Sequence, residues 1–173
     1  MKISHIEHIG IAVNSIEEAL PFYENVLGFE CYNTEEVADQ KVKTAFLKVG
    51  DTKLELLEPT SPDSTVAKFL ETRGPGFHHM AYAVEDGVAN ALAECGEKSI
   101  RTIDAAPRAG ADGMSIAFLH PKATQSILTE LCEKKKYCRF IPGKEIAGTL
   151  PCRTENECPK MTPEWKRTVM WTN

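Results

Sequence analysis

The sequence predicts an α+β fold: two βαβββ modules facing each other across a cleft around a metal ion. Three observations carry this expectation. A short first strand occurs twice, a helical pattern follows each copy, and each half places a His and a Glu at equivalent positions.

The repeated strand is Ile6-Glu7-His8-Ile9-Gly10-Ile11-Ala12-Val13 in the first half and Phe77-His78-His79-Met80-Ala81-Tyr82-Ala83-Val84 in the second. Side chains alternate between the two faces of a strand, so His8, Gly10 and Ala12 share one face, as do His79, Ala81 and Ala83. By the same alternation His78 points to the opposite face. In the first half a helix follows, with Ser15 as N-cap and Glu18 completing a capping box. Ile16, Ala19, Leu20, Phe22, Tyr23 and Leu27 supply its apolar face, and Gly28 ends it. The second helix has Ala89, Leu92 and Ala93 on its apolar face and ends at Gly96, with Gly87 weakening its start. The remaining strands expected are 42–49 and 53–57, split by the Gly50-Asp51 turn, then 100–103, 115–119 and 127–132, with Gly110 to Gly113 as a loop. Module 1 therefore covers about residues 3–59 and module 2 about 77–133. The linker, 60–76, contains a short helix over 65–72.

The chain has 173 residues, 42% of them hydrophobic and 26% charged, the composition of a globular protein. A net charge of −5 offers no electrostatic case for a nucleic-acid partner. No apolar run has the length of a bilayer span, and the first residues resemble neither a signal peptide nor a transit peptide, so a cytoplasmic protein without a membrane partner is expected. The six cysteines, Cys31, Cys95, Cys132, Cys138, Cys152 and Cys158, form no C-x-x-C pair and are expected as free thiols. Residues 134–173 lie outside the repeat. They carry nine Lys and Arg against four Asp and Glu, whereas residues 1–133 carry eleven against twenty-one. The extension is expected to be poorly ordered; its charge also suits folding back on the acidic body.

His8 and His79 lie in the first strand of each half, and Glu55 and Glu130 in the last. A pseudo-twofold relation would bring these four side chains into one cleft. Two neutral imidazoles and two carboxylates balance a divalent cation, and the set suits Co, Mn, Ni or Zn with positions left for substrate. Taken singly, each is more often an ordinary strand residue: a hydrogen-bonded His, or a Glu on the solvated face. Their recurrence at matching places is what favours the metal site. His5 precedes the strand and receives no role, nor does His78. His120, at a strand exit, fits a cleft rim and a turn equally well.

Several stretches resemble the methylmalonyl-CoA epimerase family of the vicinal-oxygen-chelate superfamily: residues 7–13, Lys53-Leu54-Glu55-Leu56-Leu57, Asp63-Ser64-Thr65-Val66-Ala67-Lys68-Phe69, Gly76-Phe77-His78-His79-Met80, and Phe118-Leu119-His120-Pro121-Lys122. The likeness spans about residues 3–133. It implies metal ligands at His8, Glu55, His79 and Glu130, an isomerase acting on methylmalonyl-CoA, and a homodimer. It implies proton removal next to the thioester and return on the other face, with Glu130 as one catalytic base. Some members place a further glutamate where this chain has Thr44, which leaves the second base unassigned, and relatives usually end near Glu133. Two competing expectations share the fold. One is glyoxalase I, against which the linker sequence argues; the other is a metal-free binding protein, against which the four retained ligands argue.

Overall fold

The computed structural model describes residues 1–134. Eight strands form one sheet: β1 (Ile3–Ala12), β2 (Glu30–Val37), β3 (Val42–Val49), β4 (Thr52–Pro59), β5 (Gly76–Val84), β6 (Arg108–Ala109), β7 (Met114–Leu119) and β8 (Leu128–Lys134). Three helices accompany them: α1 (Ile16–Pro21), α2 (Thr65–Arg73) and α3 (Val88–Glu97). The strand order is β2-β3-β4-β1-β5-β8-β7-β6. β1 pairs antiparallel with β5 at the centre, while β1 with β4, and β5 with β8, pair in parallel. Each side of the central seam therefore repeats the same βαβββ order, as the sequence predicts.

Each module buries its helix against the sheet by strand alternation. In module 1, Ala45, Leu47 and Leu56 turn toward Ile16, while Thr44, Phe46 and Glu55 turn to the cleft. In module 2, Val88, Ala91 and Cys95 of α3 pack on Ala117, Leu119 and Leu131. Truncating a core leucine such as Leu47 to Ala would cost about 2–5 kcal/mol. A glutamate three residues beyond the cleft glutamate caps the helix in both modules. Glu58 accepts from Ile16 N–H at 2.7 Å, and Glu133 from Val88 N–H at 3.0 Å. Carboxylates at helix N-termini satisfy free donors and complement the helix dipole. Glu133 supplies the cap that Gly87 lacks.

Three local features depart from the sequence expectation. The first helix stops being α-helical at Pro21, and Phe22–Val26 continue as a single π-turn, closed by Leu27 N–H to Phe22 C=O at 3.2 Å. Gly28, at φ +72°, terminates the segment as expected. The strand expected at 100–103 does not form. Thr102 makes an isolated bridge with Leu119, and the paired strand is β6. Asp104 explains this, because its carboxylate takes the Phe118 N–H at 2.8 Å that a strand carbonyl would take, and Pro107 has no N–H to offer. The strand that the βαβββ pattern requires between the first helix and residue 42 is β2, an edge strand with alternating exposure.

Cys31, Cys95 and Cys132 are free, as expected; Cys138, Cys152 and Cys158 lie outside the described residues. So does the C-terminal extension, except Lys134, which ends β8. Among the described residues, no helix is long and apolar enough to cross a membrane.

Candidate metal centre

Strand register explains why His and Glu recur at their spacings. The parallel ladder of β1 and β4 sets Gly10 beside Glu55, and that of β5 and β8 sets Ala81 beside Glu130. The antiparallel seam sets His8 opposite Ala81 and Gly10 opposite His79. The residue two places after each histidine is thus the neighbour of that module's glutamate and of the other module's histidine. That residue is small in both copies. At Gly10 an added Cβ would lie 2.2 Å from the His79 ring, so the imidazole sits directly on the glycine backbone.

The four expected side chains converge in one open cleft. All are buried, with 3–5% of their surface exposed. His8 Nε2 and His79 Nε2 are 3.0 Å apart. Glu55 Oε2 lies 3.4 Å from both nitrogens. Glu130 lies 3.8 Å from His8 Nε2 and 3.6 Å from His79 Nε2. Ligand atoms of His8, His79 and Glu130 fall within 4.8 Å of one another.

This donor set fits a divalent cation. His8 Nδ1 is engaged by Glu7 Oε2 at 2.5 Å, and His79 Nδ1 by His78 Nδ1 at 3.0 Å. Both Nε2 atoms are thereby left to the cleft, beside two carboxylates. Four acceptors facing one point repel each other unless a cation or proton stands between them. The two Nε2 atoms lie close enough together for one ion to reach both. Burial acts to lower the His8 pKa, but the Glu7 hydrogen bond and the charges of Glu55 and Glu130 outweigh it and raise it to about 9. The field that would hold a proton on His8 is the field that holds a cation, and the two compete. Burial, partly offset by His8 and His79, pushes the Glu130 carboxyl up.

His78 does not point to the opposite face. The register of β5 against β1 passes from His79 to Phe77 and leaves His78 unpaired in a β-bulge. The irregularity re-aims its side chain into the cleft, against the Phe69 ring. Burial lowers its pKa to about 4, so it is neutral at pH 7. A second bulge leaves Glu7 unpaired beside His8 and turns it inward too. Burial acts to raise the Glu7 pKa, but hydrogen bonds from His8 and Lys53 bring it down to about 2. Lys53 extends from β4 to Glu7 and, at 2.9 Å, to Asp112 in the β6–β7 loop. Sequence reasoning passes over Glu7, Lys53 and Asp112. The one signal available for the bulges is that a residue able to hydrogen-bond directly precedes each repeated histidine.

Thr44 is buried and lines the cleft, its hydroxyl donating weakly to the Glu35 carbonyl at 3.4 Å. His120 has the turn role: its Nδ1 accepts from Lys122 N–H and caps the 3-10 turn Pro121–Ala123. His5 is exposed, and its Nδ1 meets Ser4 Oγ at 2.8 Å.

Known proteins share the sequence and the fold of this chain. Residues 7–118 match the family model of the glyoxalase/bleomycin resistance protein/dioxygenase superfamily. An uncharacterized protein of Bacillus subtilis is 45% identical over 133 residues, covering 77% of this chain and 94% of the relative. The mitochondrial methylmalonyl-CoA epimerase of Homo sapiens is 35% identical over 130 residues, covering 75% of this chain and 73% of the relative. A variant methylmalonyl-CoA epimerase of Streptomyces coelicolor, solved in complex with 2-nitronate-propionyl-CoA, superposes with a TM-score of 0.75 at 38% identity. That alignment covers 78% of this chain and 96% of the other.

Proposed function

The chain belongs to the glyoxalase/bleomycin resistance protein/dioxygenase superfamily and, within it, to the methylmalonyl-CoA epimerases, and on that premise we propose that it interconverts (2R)- and (2S)-methylmalonyl-CoA. One observation carries the reading: two imidazole nitrogens and two carboxylates meet in one cleft, with Glu130 among them. His8, Glu55, His79 and Glu130 would hold a divalent cation, and the donor set suits cobalt, manganese, nickel or zinc. When bound, the cation supplies positive charge for the substrate's carboxylate and thioester oxygens. Leu57, Ile116 and Phe118 line the walls and keep water from the reacting carbon.

Glu130 is the base for one face. The C2–H bond breaks, its proton passes to a Glu130 oxygen, and the electron pair moves into the thioester carbonyl as an enolate. Return of a proton to the opposite face re-forms C2–H with inverted configuration. Thr44 carries no carboxylate, so the cleft offers no base at that place on β3. The resemblance to the family further implies a homodimer acting on an acyl-CoA substrate.

The test is isotope exchange. Incubated with methylmalonyl-CoA in deuterated water, the metal-loaded protein should place deuterium at C2. The absence of label, with metal bound and substrate intact, would refute the assignment.

A further inference from the structure

We propose that Glu7 and His78, the two side chains turned inward by paired β-bulges, are positioning residues that orient the His8 and His79 imidazoles, and that Lys53 and Asp112 lock Glu7 in place. The proposal rests on the reading of His8 and His79 as metal ligands and adds what fixes them.

The placement is the first reason. In a regular strand Glu7 and His78 would face away from the cleft, because each precedes a cleft-facing histidine by one residue. Both are instead brought inside by a register shift of the β1–β5 seam, one on each strand, at equivalent repeat positions. A bulge sacrifices ladder hydrogen bonds, and here both do so beside the same donor cluster.

The second reason is hydrogen-bond chemistry. A carboxylate only accepts, so the 2.5 Å contact from Glu7 Oε2 sets the proton of neutral His8 on Nδ1. Its Nε2 then carries the lone pair that faces the cleft. The His78–His79 contact, 3.0 Å between Nδ1 atoms, has one consistent arrangement when His79 Nε2 also presents a lone pair. His79 Nδ1–H donates, and His78 accepts through Nδ1 with its own proton on Nε2. Partners of this kind fix tautomer and ring angle in metal-binding histidines.

The third reason is the support behind Glu7. Lys53 is 14% exposed and bridges Glu7 to Asp112. Asp112 is fixed in turn: Tyr32 O–H donates to it at 3.1 Å, and its own N–H donates to Glu35. Its backbone has φ +50°, a left-handed conformation that these contacts maintain. A loop of module 2 is thus tied to β2 and β4 of module 1, and the tie ends on His8. Buried charges of this sort seldom add net stability over apolar residues. Orientation of a ligand gives them a reason to be there.

The test is cobalt(II) titration of the full chain, read by the visible absorption band and by chelator competition, with the melting temperature of each metal-free variant alongside. His78→Leu and Glu7→Leu remove the acceptors. His78→Asn and Glu7→Gln retain an oxygen near the same place. The expected result is cobalt affinity weakened by about 10–100-fold with a shifted band in the Leu variants, and most of it regained in Asn and Gln. Parent-like affinity and spectrum in the Leu variants would overturn the proposal. So would equal losses in the Leu and the Asn and Gln variants. If Glu7→Leu does not fold, the His78 pair decides alone. His79→Ala separates the underlying reading: if it keeps the parent's affinity and band, the ligand assignment is wrong. If it loses them while His78→Leu does not, the ligands stand and the positioning role falls.

Discussion

Gly10→Ala adds a single methyl group, and the structure says where it would go. Its Cβ would lie 2.2 Å from His79 Cε1 and Nδ1 and 2.9 Å from Nε2. Carbon atoms rest at about 3.5–4.0 Å, so the overlap is more than about 1 Å. Neither the strand nor the ring has easy relief. β1 is hydrogen-bonded to β4 on one side and β5 on the other, and the His79 ring abuts Phe118 at 5.5 Å and His8 at 5.1 Å between centroids. The ring is the softer element, and its displacement carries Nε2 away from the other three donors. Metal sites hold their ligand distances to about 0.2 Å, so a shift near 1 Å removes the ligand. The expected loss of cobalt or zinc affinity exceeds the roughly 10–100-fold typical of disturbing a ligand's partner. Overpacking should cost about 1–3 kcal/mol in the metal-free protein, which still unfolds cooperatively. Metal affinity by chelator competition and melting of the metal-free form are the two measurements. A variant that binds metal as tightly as the parent would refute the claim that Gly10 exists to seat His79.

Four further outcomes follow. Glu130→Gln should keep much of its metal, because one coordinating oxygen remains, yet lose turnover by roughly a hundredfold or more, measured as C2 exchange at matched metal occupancy. Glu55→Gln should be milder in the same assay, since a neutral oxygen still reaches both imidazoles at the position where Glu55 Oε2 now lies. Removing metal with a chelator should lower the melting temperature, because a ligand that binds only the folded state stabilises it, and re-addition should restore it. Truncation after Lys134 retains the eight strands and three helices of the described residues, so isotope exchange at C2 is expected to persist.

The repeat made the site legible because it converted four separately ambiguous residues into two equivalent pairs. His8 alone is a histidine in a strand; His8 and His79 at matching positions, each followed two residues later by a small residue, describe a seam. The structure adds the reason for the small residues, since Gly10 and Ala81 are where each module's strand meets the other's histidine. The edge strands were less legible. Residues 100–103 have a strand's composition, yet the acceptor that organises the segment is the Asp104 side chain, and a side-chain substitute for a ladder bond leaves no periodic trace.

The deeper miss concerns the rule that placed the candidate ligands. Strand alternation put His8 and His79 on cleft-facing positions and, by the same logic, sent His78 to the wrong face. A one-residue bulge reverses side-chain facing beyond it, and its cause is pairing across the seam rather than any local composition. The repeat still held a clue, because positions 7 and 78 correspond, and both carry groups able to bond an imidazole. Their chemistry differs where their geometry agrees. Glu7 offers a negative charge secured by Lys53, whereas His78 is neutral and rests against Phe69. A symmetric frame thus supports its two histidines with partners of unequal charge. A carboxylate partner makes an imidazole a stronger donor than a neutral partner does. With Glu7 behind it, His8 should therefore bind the cation more strongly than His79.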